Sequence, residues 1–196
     1  MNKAIGIIYD EHRSISAVLS GLRSLTEMAR NPEVRPDFAV FRAMIYYIDA
    51  FPERMHHPKE DEHLFARLLQ RDPGAQPLID DLKAEHREGA KLVRDLEQAL
   101  LAYEQNWPAG IERFAAVVEL YANFHWNHMR REERDLIPRA EKALQAEDWA
   151  AIEAAFAGNS DPIADLNEKD FAALYQRILN LAPAPIGLGD RWKPAN

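Results

Sequence analysis

The chain has no cysteine. That absence removes disulfides, thiolate zinc sites, cysteine-held iron–sulfur clusters and thiol catalysis together, so any metal must be held by nitrogen and oxygen. No stretch offers eighteen uninterrupted apolar residues to a bilayer. The opening residues, Met1 to His12, turn polar too early for a signal peptide, which is the pattern of a soluble, cytoplasmic protein. A Lys/Arg-rich run is also missing: 24 basic against 32 acidic side chains leave a net charge of −8, so neither nucleic acid nor a membrane is an expected partner. No segment alternates with the period of two that marks a half-buried strand. What is present is 196 residues at 47% hydrophobic content, enough for one domain with a real core, and no repeat at solenoid periods.

Hydrophobic spacing is helical nearly throughout, and the class is all-α. The first segment, about residues 3 to 30, carries Ile5, Ile8, His12, Ile15, Leu19 and Leu22 before Asn31-Pro32 ends it. The second opens after Pro36 with Asp37 as N-cap and runs through Phe41, Ile45, Ile48, His56, Glu60 and Leu64 to Asp72-Pro73-Gly74, with Pro52 and Pro58 expected to kink or break it. The third, about 75 to 105, carries Ile79, Leu82, His86, Gly89, Val93, Leu96 and Leu100. The fourth is expected to start at Pro108 as a first-turn proline and carries Phe114, Val117, Tyr121, His125, His128, Glu132 and Leu136. Four long amphipathic helices with short turns predict an up-down-up-down four-helix bundle over residues 1–145. Residues 146–196 then read as an extension packed on the same domain: short helices over Glu147–Phe156 and Asp165–Leu181, and an extended Pro/Gly-rich tail.

Five of the seven histidines (His12, His56, His86, His125, His128) fall on helix faces that should be apolar. One such histidine is ordinarily a core residue bonded to a carbonyl. Four helices each turning imidazole inward are different, because burying several imidazoles and carboxylates without a cation leaves polar groups unpaired at roughly 1 to 3 kcal/mol each. His56 and Glu60 stand at i and i+4, as do His128 and Glu132, so each pair shares a helix face and can chelate inward. His12 and His86 add single nitrogens. Four imidazoles and two carboxylates are too many for one tetrahedral zinc but suit two ions sharing bridging carboxylates, with positions open to a small ligand.

The residues that carry this pattern are Asp10-Glu11-His12; His56-His57-Pro58-Lys59-Glu60-Asp61-Glu62-His63-Leu64-Phe65; Glu85-His86; and His125-Trp126-Asn127-His128-Met129-Arg130-Arg131-Glu132-Glu133. Over roughly residues 3 to 145 they resemble the hemerythrin-like, or HHE cation-binding, family. The resemblance implies a bundle holding two non-heme iron ions, oxo- or hydroxo-bridged, with His12, His56, Glu60, His86, His128 and Glu132 as ligands; zinc or manganese would also suit such donors. One departure stands out. Oxygen-carrying members have a second histidine one turn along the third helix, where this chain has Ala90. The remaining six-ligand set looks more like that of the family's iron-centre repair and nitric-oxide-responsive members, which commonly bring a cysteine-containing N-terminal domain not found here. His125 is then either a fifth nitrogen or a residue that orients a ligand from behind, the second being preferred.

Around this set, His57 and His63 read as solvent-facing members of a charged run. Glu11, Asp61, Glu85 and Glu133 adjoin ligands and either accept an imidazole N–H or face solvent. Tyr9, Tyr121 and Phe124 read as core or as the lining of a channel. The function placed first is a non-catalytic di-iron protein that binds O2 or NO, or senses or stores iron. The alternative is a di-iron oxidoreductase acting on oxygen, peroxide, nitric oxide or ferrous iron. A ferritin-like site is disfavoured because Glu53-x-x-His56 and Glu60-x-x-His63 lie in one segment. A metal-free interaction module would need four independent coincidences.

Overall fold

A computed structural model describes residues 2–158, 161, 163, 176–178 and 180. Every regular element among them is helical. The first helix, Lys3–Met28, begins on Asn2, whose side chain accepts the Ala4 N–H. The second rod starts as Phe38–Ile48, capped as expected by Asp37 on the Ala39 N–H at 2.9 Å. It then widens into π-helical turns at Asp49–His56, tightens for one α turn at His57–Lys59, widens again at Glu60–Phe65 and ends as Ala66–Arg71. Pro52 and Pro58, expected to kink or break the rod, do not end it, and the helix instead leaves α geometry around them. Pro52 lies inside the first wide stretch and Pro58 in the first turn of the short α segment, where a missing N–H and a bulky ring are tolerated.

The third helix, Gln76–Asn106, follows a short 3₁₀ turn at Pro73–Ala75. The fourth rod starts later than expected, at Ile111 rather than Pro108. Pro108 sits in the reversing turn, and the start is set by Gly110, whose φ of 95° lies in the left-handed region that favours glycine. This rod runs Ile111–Arg131, takes a π-helical stretch at Glu132–Leu136 and finishes as Ile137–Ala143. A fifth helix, Ala146–Phe156, opens with a Gln145/Asp148 capping box. The expected helix over 165–181 lies largely outside the described residues, and the expected tail lies wholly outside them.

The first helix packs on the second and fourth rods, and the third helix packs on the same two. Two apolar clusters fill the interior. One holds Ile15, Leu19 and Leu22 with Phe41, Ile48, Phe51, Val93, Leu96, Phe114, Val118 and Tyr121. The other holds Ile5 and Ile8 with Leu64, Phe65, Leu68, Ile79, Leu82, Leu136 and Ile137, and takes Trp149, Ile152 and Phe156 from the fifth helix. Between them each rod contributes polar residues where a continuous core would have aliphatic ones, and that belt holds the site.

Candidate metal centre

Six side chains meet in the belt: His12 from the first helix, His56 and Glu60 from the second rod, His86 from the third helix, His128 and Glu132 from the fourth rod. All are buried. They form two groups that share both carboxylates, namely His12, His56, Glu60 and Glu132, and His86, His128, Glu60 and Glu132. Within each group one donor atom per residue lies inside 4.8 Å of the others. His12 and His56 bring their Nε2 atoms to 3.2 Å, His86 and His128 theirs to 3.1 Å. Glu60 spans the pairs, with Oε1 at 3.3 Å from His56 Nε2 and Oε2 at 3.5 Å from His86 Nε2. Glu132 does the same, with Oε2 at 3.4 Å from His12 Nε2 and Oε1 at 3.3 Å from His128 Nε2.

The outer nitrogens explain why the inner ones converge. His12 Nδ1 faces Glu133 at 2.9 Å, His56 Nδ1 faces Glu11 at 2.6 Å, His86 Nδ1 faces Asp61 at 3.1 Å and His128 Nδ1 faces Glu85 at 2.8 Å. An ionised carboxylate can only accept, so each Nδ1 carries the proton and donates it, which leaves a lone pair on each Nε2 pointing inward. Glu11, Asp61, Glu85 and Glu133 are therefore anchors, and Arg131 in turn grips Glu85 and Asp81.

Converging lone pairs repel one another, and all four oxygens of Glu60 and Glu132 are buried without a hydrogen-bond partner. Such a donor set is unstable by itself and fits a pair of cations. Protons are the other available positive charge. Burial opposes protonation, yet Asp61, Glu132 and Glu60 push His86 up to about 12, and Glu132 and Glu85 push His128 up to about 9. His12 and His56 are raised as well, by Glu132 and Glu133 in one case and Glu60 and Glu11 in the other.

His57 corrects the sequence reading. It is buried at 4% exposure instead of facing solvent, while His63 is half-buried. The reason is helix phase: the π-helical turns at Asp49–His56 insert extra residue per turn, so the face that points inward no longer follows α periodicity. His57 Nδ1 lies 3.4 Å from Glu53 Oε2, and His125 Nε2 lies 3.4 Å from Glu53 Oε1. Tyr121 donates its hydroxyl hydrogen to the same Oε1 at 3.3 Å, so it serves this polar group as well as the core. Burial lowers the pKa of His57 to about 3 and lowers that of His125, leaving both neutral. Tyr9 and Phe124 are half-buried, packed against the two apolar clusters. Glu53 is the residue that sequence reasoning missed. Its signal was Glu53-x3-His57, the same i, i+4 spacing that singled out His56 and Glu60.

A surface cleft passes beside His12, on the side of its outer partner Glu133. It measures about 200 Å³, lies between the first helix and fourth rod, and is lined by His12, Arg13, Ser16, Trp126, Met129, Arg130 and Glu133. A larger cleft of about 230 Å³, lined by Ile45, Tyr46, Leu100 and Leu101 among others, includes none of the six converging residues. No helix among the described residues is long and apolar enough to cross a membrane.

A family model described as the hemerythrin HHE cation binding domain matches residues 3–140. No curated protein matches the chain.

Proposed function

Because the chain belongs to the hemerythrin HHE cation-binding family, we propose that His12, His56, His86 and His128 hold two iron ions bridged by Glu60 and Glu132, and that the centre binds a small diatomic ligand, O2 or NO, or senses or stores iron. The observation that carries this reading is the pair of buried carboxylates, each presenting one oxygen to either imidazole pair and neither meeting a hydrogen-bond donor. When bound, the ions would supply open coordination positions and redox capacity. The protein's own part is to exclude water, to orient each Nε2 through its carboxylate anchor, and to limit access. The cleft beside His12 reaches none of the other five converging residues, which supports access by a small ligand over chemistry on a large organic substrate.

We also propose that the four rods run up-down-up-down over residues 1–145, with 146–196 as an extension of the same domain. Alternation of the clusters supports this order: the first and third helices pass from the Ile5/Leu82 cluster to the other, and the second and fourth rods return. His125, which belongs to neither converging group, then stands behind His128, with ring centroids 6.2 Å apart.

Metal content per chain, measured on anaerobically purified protein, tests the site, and the optical spectrum before and after oxygen tests the function. Two irons with new near-ultraviolet and visible bands that reverse on deoxygenation are expected. Bands that bleach irreversibly would instead favour an oxidoreductase, and one ion per chain would overturn the bridged pair.

A further inference from the structure

The larger cleft, between the second rod and the third helix, takes no part in the metal centre. Its floor is apolar, with Ile45 and Tyr46 on one side and Leu100 and Leu101 on the other. Leu101 is 55% exposed there, which leaves apolar surface facing water. The rim is acidic. Asp49 holds Arg54 at 2.6 Å and Glu104 holds Arg42 at 2.7 Å, but among the described residues Glu97 has no cation within ion-pair distance. Burial raises the Glu97 pKa and the nearby Asp49 charge raises it further, with Arg54 and Arg94 opposing, so an added cation beside Glu97 would be favourable. At about 230 Å³ the cleft falls below the roughly 300–1,000 Å³ of a site for a drug-sized ligand, and it suits one large side chain.

The chain itself supplies such a side chain. Arg191-Trp192-Lys193 is the one place in the sequence where an aromatic residue stands between two basic ones. It lies outside the described residues, but the chain leading to it is anchored in the half of the bundle that carries the cleft. Tyr47, next to Tyr46, donates its hydroxyl hydrogen to Asp161 at 3.1 Å, and Ile163 and Ile178 are buried in the same cluster as Ile45 and Leu100. Trp192 follows Asn180, the last described residue, by twelve positions, which span up to about 40 Å when extended. The third helix, at 31 residues, is only about 46 Å long.

We propose that Arg191-Trp192-Lys193 docks in this cleft, with the Trp192 indole on Ile45, Tyr46, Leu100 and Leu101 and the flanking cations at Asp49 and Glu97. Asp49 opens the π-helical stretch of the second rod, so the docked segment braces that rod against the third helix where its geometry changes. This contact is independent of the metal pair.

The absence of cysteine makes the test direct. In the full chain, Leu101→Cys with Pro194→Cys allows a single disulfide within one molecule. Leu120→Cys with the same Pro194→Cys is the control, because Leu120 is as exposed, at 57%, but stands on the fourth rod outside the cleft. Both leucines are exposed, so neither change disturbs the core. In a glutathione redox buffer, mass spectrometry should show the intrachain disulfide of the Leu101 pair forming at least about tenfold faster than that of the Leu120 pair, since docking raises the local concentration of the tail. Adding Trp192→Ala or Glu97→Lys to the Leu101 pair should remove that advantage. Equal rates in the two pairs, including none in either, or an advantage that survives Trp192→Ala, would overturn the docking. Disulfides formed mainly between molecules would overturn it as well, and would assign the cleft to a second copy of the chain.

Discussion

His86 lies within reach of both carboxylates and is the third helix's one contribution to the converging groups. His86→Ala is expected to lose one ion or both, whereas His125→Ala should retain two; metal analysis per chain distinguishes them, and a fully loaded His86→Ala protein would refute the ligand set. A second expectation concerns acidity. In metal-free protein, burial lowers the pKa of His128, but Glu132 and Glu85 outweigh it and hold the group near 9; Asp61, Glu132 and Glu60 hold His86 near 12. Both exceed the unfolded value of about 6.5, so the native state binds more protons than the unfolded one above that pH. Their stabilisation is complete below about 6.5; the share from His128 is lost by about pH 9, and that from His86 goes on falling toward 12. Urea unfolding of metal-free protein should therefore show stability falling between pH 6.5 and 9 by on the order of a few kcal/mol. Metal binding expels these protons, so iron affinity should rise over the same interval. Four of the six proposed ligands were legible as two His-x3-Glu pairs, because i, i+4 spacing defines a helix face by itself. His57 was not, because its burial depends on a local change of helical phase.

At the scale of single elements, the wide turns are concentrated at the site. His56, Glu60 and Glu132 all lie on π-helical stretches, and His57 sits on the α turn between two of them. Such turns recur at functional sites because they re-aim side chains without ending the helix. Gly89 lets the third helix pass close to Glu53 and His125. A Cβ added there would stand 3.0 Å from Glu53 Oε1 and 3.2 Å from His125 Nε2. In an ordinary helix interior, Gly→Ala stabilises by about 1 kcal/mol. Here Gly89→Ala is expected to lower Tm, since the gain in propensity is met by displacement of buried polar groups that Tyr121 and the two imidazoles hold in place. A Tm raised by the full propensity gain would show that Glu53 and His125 yield freely. Proline spacing suggested a kink or a break at Pro52 and Pro58; the α-helix does give way there, but to wider turns that keep the rod continuous, because propensity describes α geometry and says nothing of a wider turn.

Across the whole molecule, the polar belt divides the core in two, and the fifth helix closes one half. Phe156 is fully buried, and its ring centroid lies 6.0 Å from that of His56. Phe156→Ala should cost roughly 3–5 kcal/mol of stability, read by urea unfolding, and loosen iron retention through His56 although the change lies outside the matched family region. Unchanged iron binding in a destabilised variant would confine Phe156 to packing. By itself the sequence determined the helical class, the approximate rods and the convergence of His12, His56, Glu60, His86, His128 and Glu132, because amphipathic period and i, i+4 spacing are local properties that survive any arrangement of the rods. Only the tertiary structure decided which carboxylate anchors which imidazole, that His57 is buried beside the centre with Glu53 against it, and that Phe156 backs His56. Those depend on the relative phase and depth of packed helices, which π-helical turns alter by one residue at a time and which no single segment records.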